Sequence, residues 1–214
     1  IMDYRKKFSK REILGKKVYY IPITHRESRF ENDRMVKLAR KAGVTDIAAT
    51  GLKGKQRNSE TKKVKKKFLD YIENSKPKGR TTIHFSNHGG PKHQWLSDGQ
   101  AGAHLSDEMH KPNTISYVEL GDSLIKRGKL SEVNILIDSC YSKDFTDNLY
   151  AYLHKKGVKE MPTIVTETNR GSLGWGDTFI SALEKVSRKG QSLTGKNIYR
   201  AEKHTFETQD MSVT

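Results

Sequence analysis

Val133-Asn134-Ile135-Leu136-Ile137-Asp138-Ser139-Cys140 is an apolar run of strand type that closes on a carboxylate and on the chain's one cysteine. A short aliphatic run of this kind reads as a strand buried on both faces, as in parallel sheets. Cys140 stands where such a strand would surface. Upstream, Thr81-Thr82-Ile83-His84-Phe85-Ser86-Asn87-His88-Gly89-Gly90 ends in the same way, with a histidine followed by glycines. If the two runs are neighbouring parallel strands, a thiol and an imidazole meet at one rim of the sheet. That is the layout of a cysteine hydrolase.

The chemistry needs these residue types. A thiolate is the reactive form of cysteine, and a nearby imidazole takes its proton or holds it ionised. Glycine after the histidine admits substrate close to the backbone. The amide of Gly89, together with that of Cys140, would then stabilise the oxyanion of a tetrahedral intermediate. Two other readings stand beside this one. A lone cysteine at a strand end also packs as a small buried hydrophobe, and His84 shares the strand with His88 and competes with it as the functional imidazole. The glycines favour His88.

The outer limits come from composition. At 214 residues the chain suits one α/β domain spanning 1–214 with a substantial core. One cysteine excludes an internal disulfide, and a structural zinc site is not expected; a reducing, cytoplasmic setting fits. The chain opens Ile1-Met2-Asp3-Tyr4-Arg5-Lys6-Lys7, with no apolar signal segment and no run of membrane-spanning length. Its start at a residue other than methionine fits a fragment of a larger protein.

Forty Lys and Arg against 25 Asp and Glu give a net charge of +15, which suits an acidic or nucleic-acid partner. The densest run, Lys62-Lys63-Val64-Lys65-Lys66-Lys67, falls in a helical pattern with Val64, Phe68 and Tyr71 or Ile72 on one stripe. Its lysines therefore read first as a solvated helix face.

Strands alternate with helices along the chain, the pattern of a sheet covered on both faces. The expected order is a strand at 18–23, a helix at 32–42, a strand at 46–50, a helix at 59–74, a strand at 81–87, a helix at 116–126, a strand at 133–138, a helix at 145–155, a strand at 163–168 and a helix at 177–187, with a further helical stretch at 197–204. The polar stretch 91–113 predicts a functional loop or a small hairpin near Ser97-Asp98-Gly99. A second irregular stretch, 169–176, contains Trp175, an aromatic suited either to walling a subsite or to packing. Both stretches fall at the carboxyl rim, where open parallel sheets place their sites.

These strand ends resemble those of the caspase-like cysteine peptidases, closest to the metacaspase and paracaspase branch. The branch's Tyr-Ser-Gly-His-Gly is similar to Phe85-Ser86-Asn87-His88-Gly89, and its Asp-Ser-Cys-His-Ser-Gly to Asp138-Ser139-Cys140-Tyr141-Ser142-Lys143. Its Cys-Val-Asn-Asp is similar to Phe30-Glu31-Asn32-Asp33. The departures are Asn87 for Gly, Tyr141 for His, Lys143 for Gly and Phe30 for Cys. Clostripain-like, gingipain-like, legumain-like and CHAT peptidases share the broader likeness.

The resemblance implies a three-layer sandwich with a mostly parallel central sheet. It assigns Cys140 as nucleophile, His88 as base or ion-pair partner, the amides of Gly89 and Cys140 as oxyanion donors, and Asp33, Ser86 and Asp138 as the lining of the S1 pocket. Two carboxylates in that pocket would select Lys or Arg at P1. Taken alone, Asp33 also reads as an acid in the first turn of a helix. Some members of the branch need calcium; Asp98, Asp107, Glu108 and Asp147 are acids of the right type, but their spacing forms no known loop, and neither a metal nor a cofactor is expected.

The expected activity is a cysteine endopeptidase cleaving proteins or peptides after Arg or Lys, with self-processing near Lys53–Arg57 or at Asn169-Arg170-Gly171 and with a regulatory partner or flanking domain. The alternative is a catalytically silent domain of the same fold that binds an acidic protein or RNA. A cysteine phosphatase is disfavoured because no arginine follows Cys140 at phosphate-loop distance.

Overall fold

Period-two alternation along the inner strands sorts their side chains onto two faces, and both faces are covered by helices. The computed structural model describes residues 12–24, 29–48, 58–86, 104–106, 114–166, 177–198 and 200. Its elements are β1 (Tyr19–Thr24), α1 (Arg29–Lys41), β2 (Asp46–Ile47), α2 (Asn58–Glu73), β3 (Thr81–Ser86), β4 (His104–Ser106), β5 (Thr114–Ser116), α3 (Tyr117–Arg127), β6 (Val133–Asp138), α4 (Ser142–Lys155), β7 (Thr163–Thr166) and α5 (Asp177–Arg188). Five strands form a sheet in the order β2-β1-β3-β6-β7, every neighbouring pair parallel. The expected α/β fold, a parallel sheet between two helical layers, is present.

One face carries Ile21 and Ile23 of β1, Ile83 and Phe85 of β3, and Val133, Ile135 and Ile137 of β6. They pack with Phe68 and Ile72 of α2, Leu120 and Leu124 of α3, and Leu149 and Leu153 of α4. The edge of Phe68 meets Phe85 at a centroid distance of 5.3 Å. The opposite face carries Tyr20 and Leu136 beneath Met35 and Leu38 of α1, Ile180 and Leu183 of α5, and the incoming segment at Ile13 and Leu14. That segment, bridged through Glu12 to Thr194, had no counterpart among the expected elements.

The second face is polar along its centre. Thr82 Oγ1 donates to the Ile13 carbonyl at 2.5 Å and accepts from Asn134 Nδ2 at 3.1 Å. Buried polar groups persist in a core when they pair in this way. At the amino edge of the sheet, the guanidinium of Arg127 is fully buried. It donates to Ser75 Oγ and to the carbonyls of Gly79, Gly128 and Lys129, at 2.6 to 3.0 Å.

One sequence expectation is corrected. Lys65 does not lie on a solvated face: it is buried and paired with Glu119 of α3 at 2.5 Å, while Lys63, Lys66 and Lys67 are exposed. Glu119 also closes a capping box with Ser116, so the first turn of α3 and the middle of α2 are tied by one carboxylate. The hairpin expected near Ser97-Asp98-Gly99 lies outside the described residues; farther along the chain β4 and β5 pair in parallel.

Candidate functional site

All five strands run the same way, so their carboxyl ends share one rim. Thr24, Ser86 and Asp138 stand in one row across β1, β3 and β6. The chain order reverses at β1 and β3, since β2 lies on one side of β1 and every later strand of the sheet on the other. Crevices in open parallel sheets form outside the carboxyl ends at such a reversal. Ser86 sits in the middle of that row.

Cys140 follows two residues after β6 and two before α4, in a tight strand-to-helix turn. Tyr141 turns the chain in the left-handed region at φ 56° and ψ 22°, one of two non-glycine residues with positive φ among those described. Its carbonyl accepts the first bond of the helix from the amide of Phe145 at 3.1 Å. The turn leaves Cys140 partly exposed while Ser139 and Ser142 on either side are buried. A side chain on such a strand-to-helix turn is held up at the rim of a sheet, with the amino end of the following helix beside it.

Ser86 and Asp138 project from the α1/α5 face of the sheet, as does His84, and all three are buried. Full burial, with the charge of Asp138 added to it, pushes the Tyr20 phenol upward. Tyr20 Oη and His84 Nδ1 share a hydrogen bond at 2.8 Å. Burial lowers His84 to about 3. His84 is thus a fully enclosed imidazole two residues below the strand end.

Asp33 is exposed on the second turn of α1, off the stripe made by Met35, Leu38 and Ala39. Because α1 begins at Arg29 rather than near Asn32, Asp33 is not in the first turn. Its neighbour Arg34 clamps Glu184 of α5 through Nε and Nη2 at 3.0 and 2.9 Å. The structure thus brings Ser86 and Asp138 together with the turn of Cys140 and sets Asp33 on the covering helix. His88 and Gly89 lie outside the described residues, as do Lys53–Arg57, Asn169-Arg170-Gly171, Trp175, Asp98, Asp107 and Glu108. Asp147 is paired with Lys143, and among the described residues no three acids, histidines or cysteines cluster as metal ligands.

The Tyr20–His84 pair escaped the reading of the sequence, although an unbroken polar series at Thr82, His84 and Ser86 within a buried strand was its signal. Compared with protein-family models, curated proteins and solved structures, the chain matches none.

Proposed function

We propose that the protein is a cysteine endopeptidase of the caspase-like kind, nearest the metacaspase and paracaspase branch, that cleaves after Arg or Lys. The observation that carries this reading is the position of Cys140. It stands partly exposed on the β6–α4 turn, just beyond the buried Ser86 and Asp138.

In this reading the Cys140 thiolate attacks the scissile carbonyl, and the amides of Gly89 and Cys140 hold the oxyanion. His88 gives its proton to the leaving amine as the C–N bond breaks, leaving an acyl group on sulfur. His88 then takes a proton from water, which attacks the thioester; the C–S bond breaks, the acyl group leaves as the carboxylic acid, and the Cys140 thiolate is restored beside protonated His88. Asp138 and Ser86 form the floor of the P1 pocket and Asp33 its outer wall. A carboxylate in a shielded pocket selects a cation, and a guanidinium gains from paired hydrogen bonds.

The test is turnover of fluorogenic peptides with Arg, Lys or Asp at P1. The proposal expects hydrolysis of the first two, abolished in Cys140→Ala and in His88→Ala. Preference for Asp, or equal turnover in Cys140→Ala, would overturn it. Conversion of the chain at Lys53–Arg57 or at Arg170 should likewise stop in Cys140→Ala.

A further inference from the structure

A row of positive charge runs along the amino rim of the sheet, at the end opposite Cys140. Parallel pairing sets Asp46, Tyr19, Thr81 and Val133 side by side, with Thr163 opposite Asn134 on the last strand. All five entering segments therefore emerge at one edge. In spatial order they carry Lys41, Lys17, Arg80, Lys129 and Lys159, each exposed. Lys16, Lys76 and Lys156 double three of these positions.

Three acids of the same rim lie against cations, and a fourth, the exposed Glu160 beside Lys159, accepts from Ser131 Oγ at 2.6 Å. Asp46 holds Lys78 at 2.7 Å, Glu73 holds Lys126 at 3.1 Å, and Glu132 lies 4.0 Å from Lys129 and 3.8 Å from Arg127. Lys16, Lys17, Lys76, Arg80 and Lys159 have no acidic partner among the described residues. Cations at helix carboxyl ends offset the helix dipole. That explains Lys41 at the end of α1, but not Lys17, Arg80 or Lys159, which stand on segments leading into strands.

We infer that this rim is a docking surface for the phosphate backbone of a nucleic-acid duplex, read without regard to sequence. Four strand spacings of about 4.8 Å make the row roughly 20 Å long, the length of about six base pairs at ~3.4 Å each along one strand. A line of cations matches a line of phosphates. Lysine is depleted at the centres of protein–protein interfaces, where aromatic anchors are found instead. Membrane-surface segments pair their cations with apolar residues that enter the lipid. The rim offers neither, since Ile125 of α3 is the one large hydrophobic exposed among the described residues. The same lack of exposed aromatics leaves no platform for stacking unpaired bases, which favours a duplex over a single strand.

Fluorescence anisotropy of a labelled 20-base-pair DNA duplex of mixed sequence, with potassium chloride varied from 50 to 200 mM, tests the inference. Engagement of about five phosphates gives a log–log slope between about −4 and −5, so affinity drops roughly 500-fold across that range. Lys17→Gln, Arg80→Gln and Lys159→Gln together should flatten the slope by two to three units and weaken binding at least tenfold at 50 mM, with peptide turnover unchanged. The control removes the same charge from α2 through Lys63→Gln, Lys66→Gln and Lys67→Gln, and should shift affinity less than twofold. Binding should persist in Cys140→Ala, which separates this surface from the catalytic reading. No binding at 50 mM, equal losses in both triple variants, or tighter binding to polyglutamate or to phosphatidylserine vesicles than to the duplex would each refute it.

Discussion

Ser86 and Asp138 lie directly across from one another on β3 and β6, both almost wholly removed from solvent. A carboxylate enclosed at a strand end is costly to keep ionised unless something charged or hydrogen-bonding meets it. In the proposed peptidase its position just ahead of Cys140 would link the stability of the strand end to the choice of substrate.

Asp138→Asn keeps the shape of the pocket floor and removes its charge. Loss of one partner of an enclosed ion pair costs about 2–5 kcal/mol, so kcat/KM for an Arg peptide should fall by roughly two orders of magnitude. Hydrolysis of a norleucine analogue should hardly change. An Arg-to-norleucine ratio equal to that of the parent would remove Asp138 from the pocket. Ser86→Ala, which deletes only a hydroxyl, should cost about tenfold or less.

Tyr141 holds a left-handed conformation that costs a side-chain-bearing residue about 1–3 kcal/mol. Tyr141→Gly should therefore stay within about 1 kcal/mol of the parent, because relief of strain offsets the freedom gained by the unfolded chain. Tyr141→Val should lose more than ~2 kcal/mol and slow turnover, since a β-branched side chain resists that backbone and the turn carries Cys140. Urea denaturation beside steady-state kinetics separates the two substitutions. Similar stabilities for Gly and Val would show that the turn is unstrained.

His84 makes the fold sensitive to acid. Its folded pKa, lowered to about 3, lies below the ordinary value near 6.5, so the unfolded chain binds the proton first. The stabilisation is complete above about pH 6.5 and is lost progressively as pH falls toward 3. Linkage gives a loss of about 2 kcal/mol from this group between pH 8 and pH 5. His84→Gln removes the titration, so its unfolding free energy should decline less steeply over that interval; equal slopes would show that the imidazole is accessible to protons.

Arg127 satisfies carbonyls of Gly79, Gly128 and Lys129 from inside the protein. Arg127→Met should lose about 3–5 kcal/mol, the usual cost of breaking a buried charged network by removing one partner. Arg127→Lys should rescue little of it, because a single ammonium cannot reach carbonyls arrayed around a planar fork. Full rescue by lysine would show that charge, rather than the fork, does the holding.

The inner strands were legible in the sequence because β3 and β6 are continuous runs of β-forming residues, and the expected limits of β6 agree with those observed. The start of α4 was not. Ser142, Lys143 and Asp144 carry no apolar stripe, so periodicity places the helix at Phe145, whereas Asp144 in the first turn is the signal that it begins earlier. The three-residue strands β4 and β5 lie near or within a polar stretch too short to show alternation. At the site, Cys140 and Asp138 could be read from one strand end. The depth of His84 could not, because burial on the second face depends on α1, α5 and the incoming Ile13–Leu14 segment closing over it.

The bonds of Arg127 reach backbone on the segments that enter β3 and β6, where Arg80 and Lys129 point outward. A cation that never meets water thereby sets the interval between two that do. Loosening it would blur the charged edge before it disturbed the turn of Cys140, so the two ends of this sheet can fail separately.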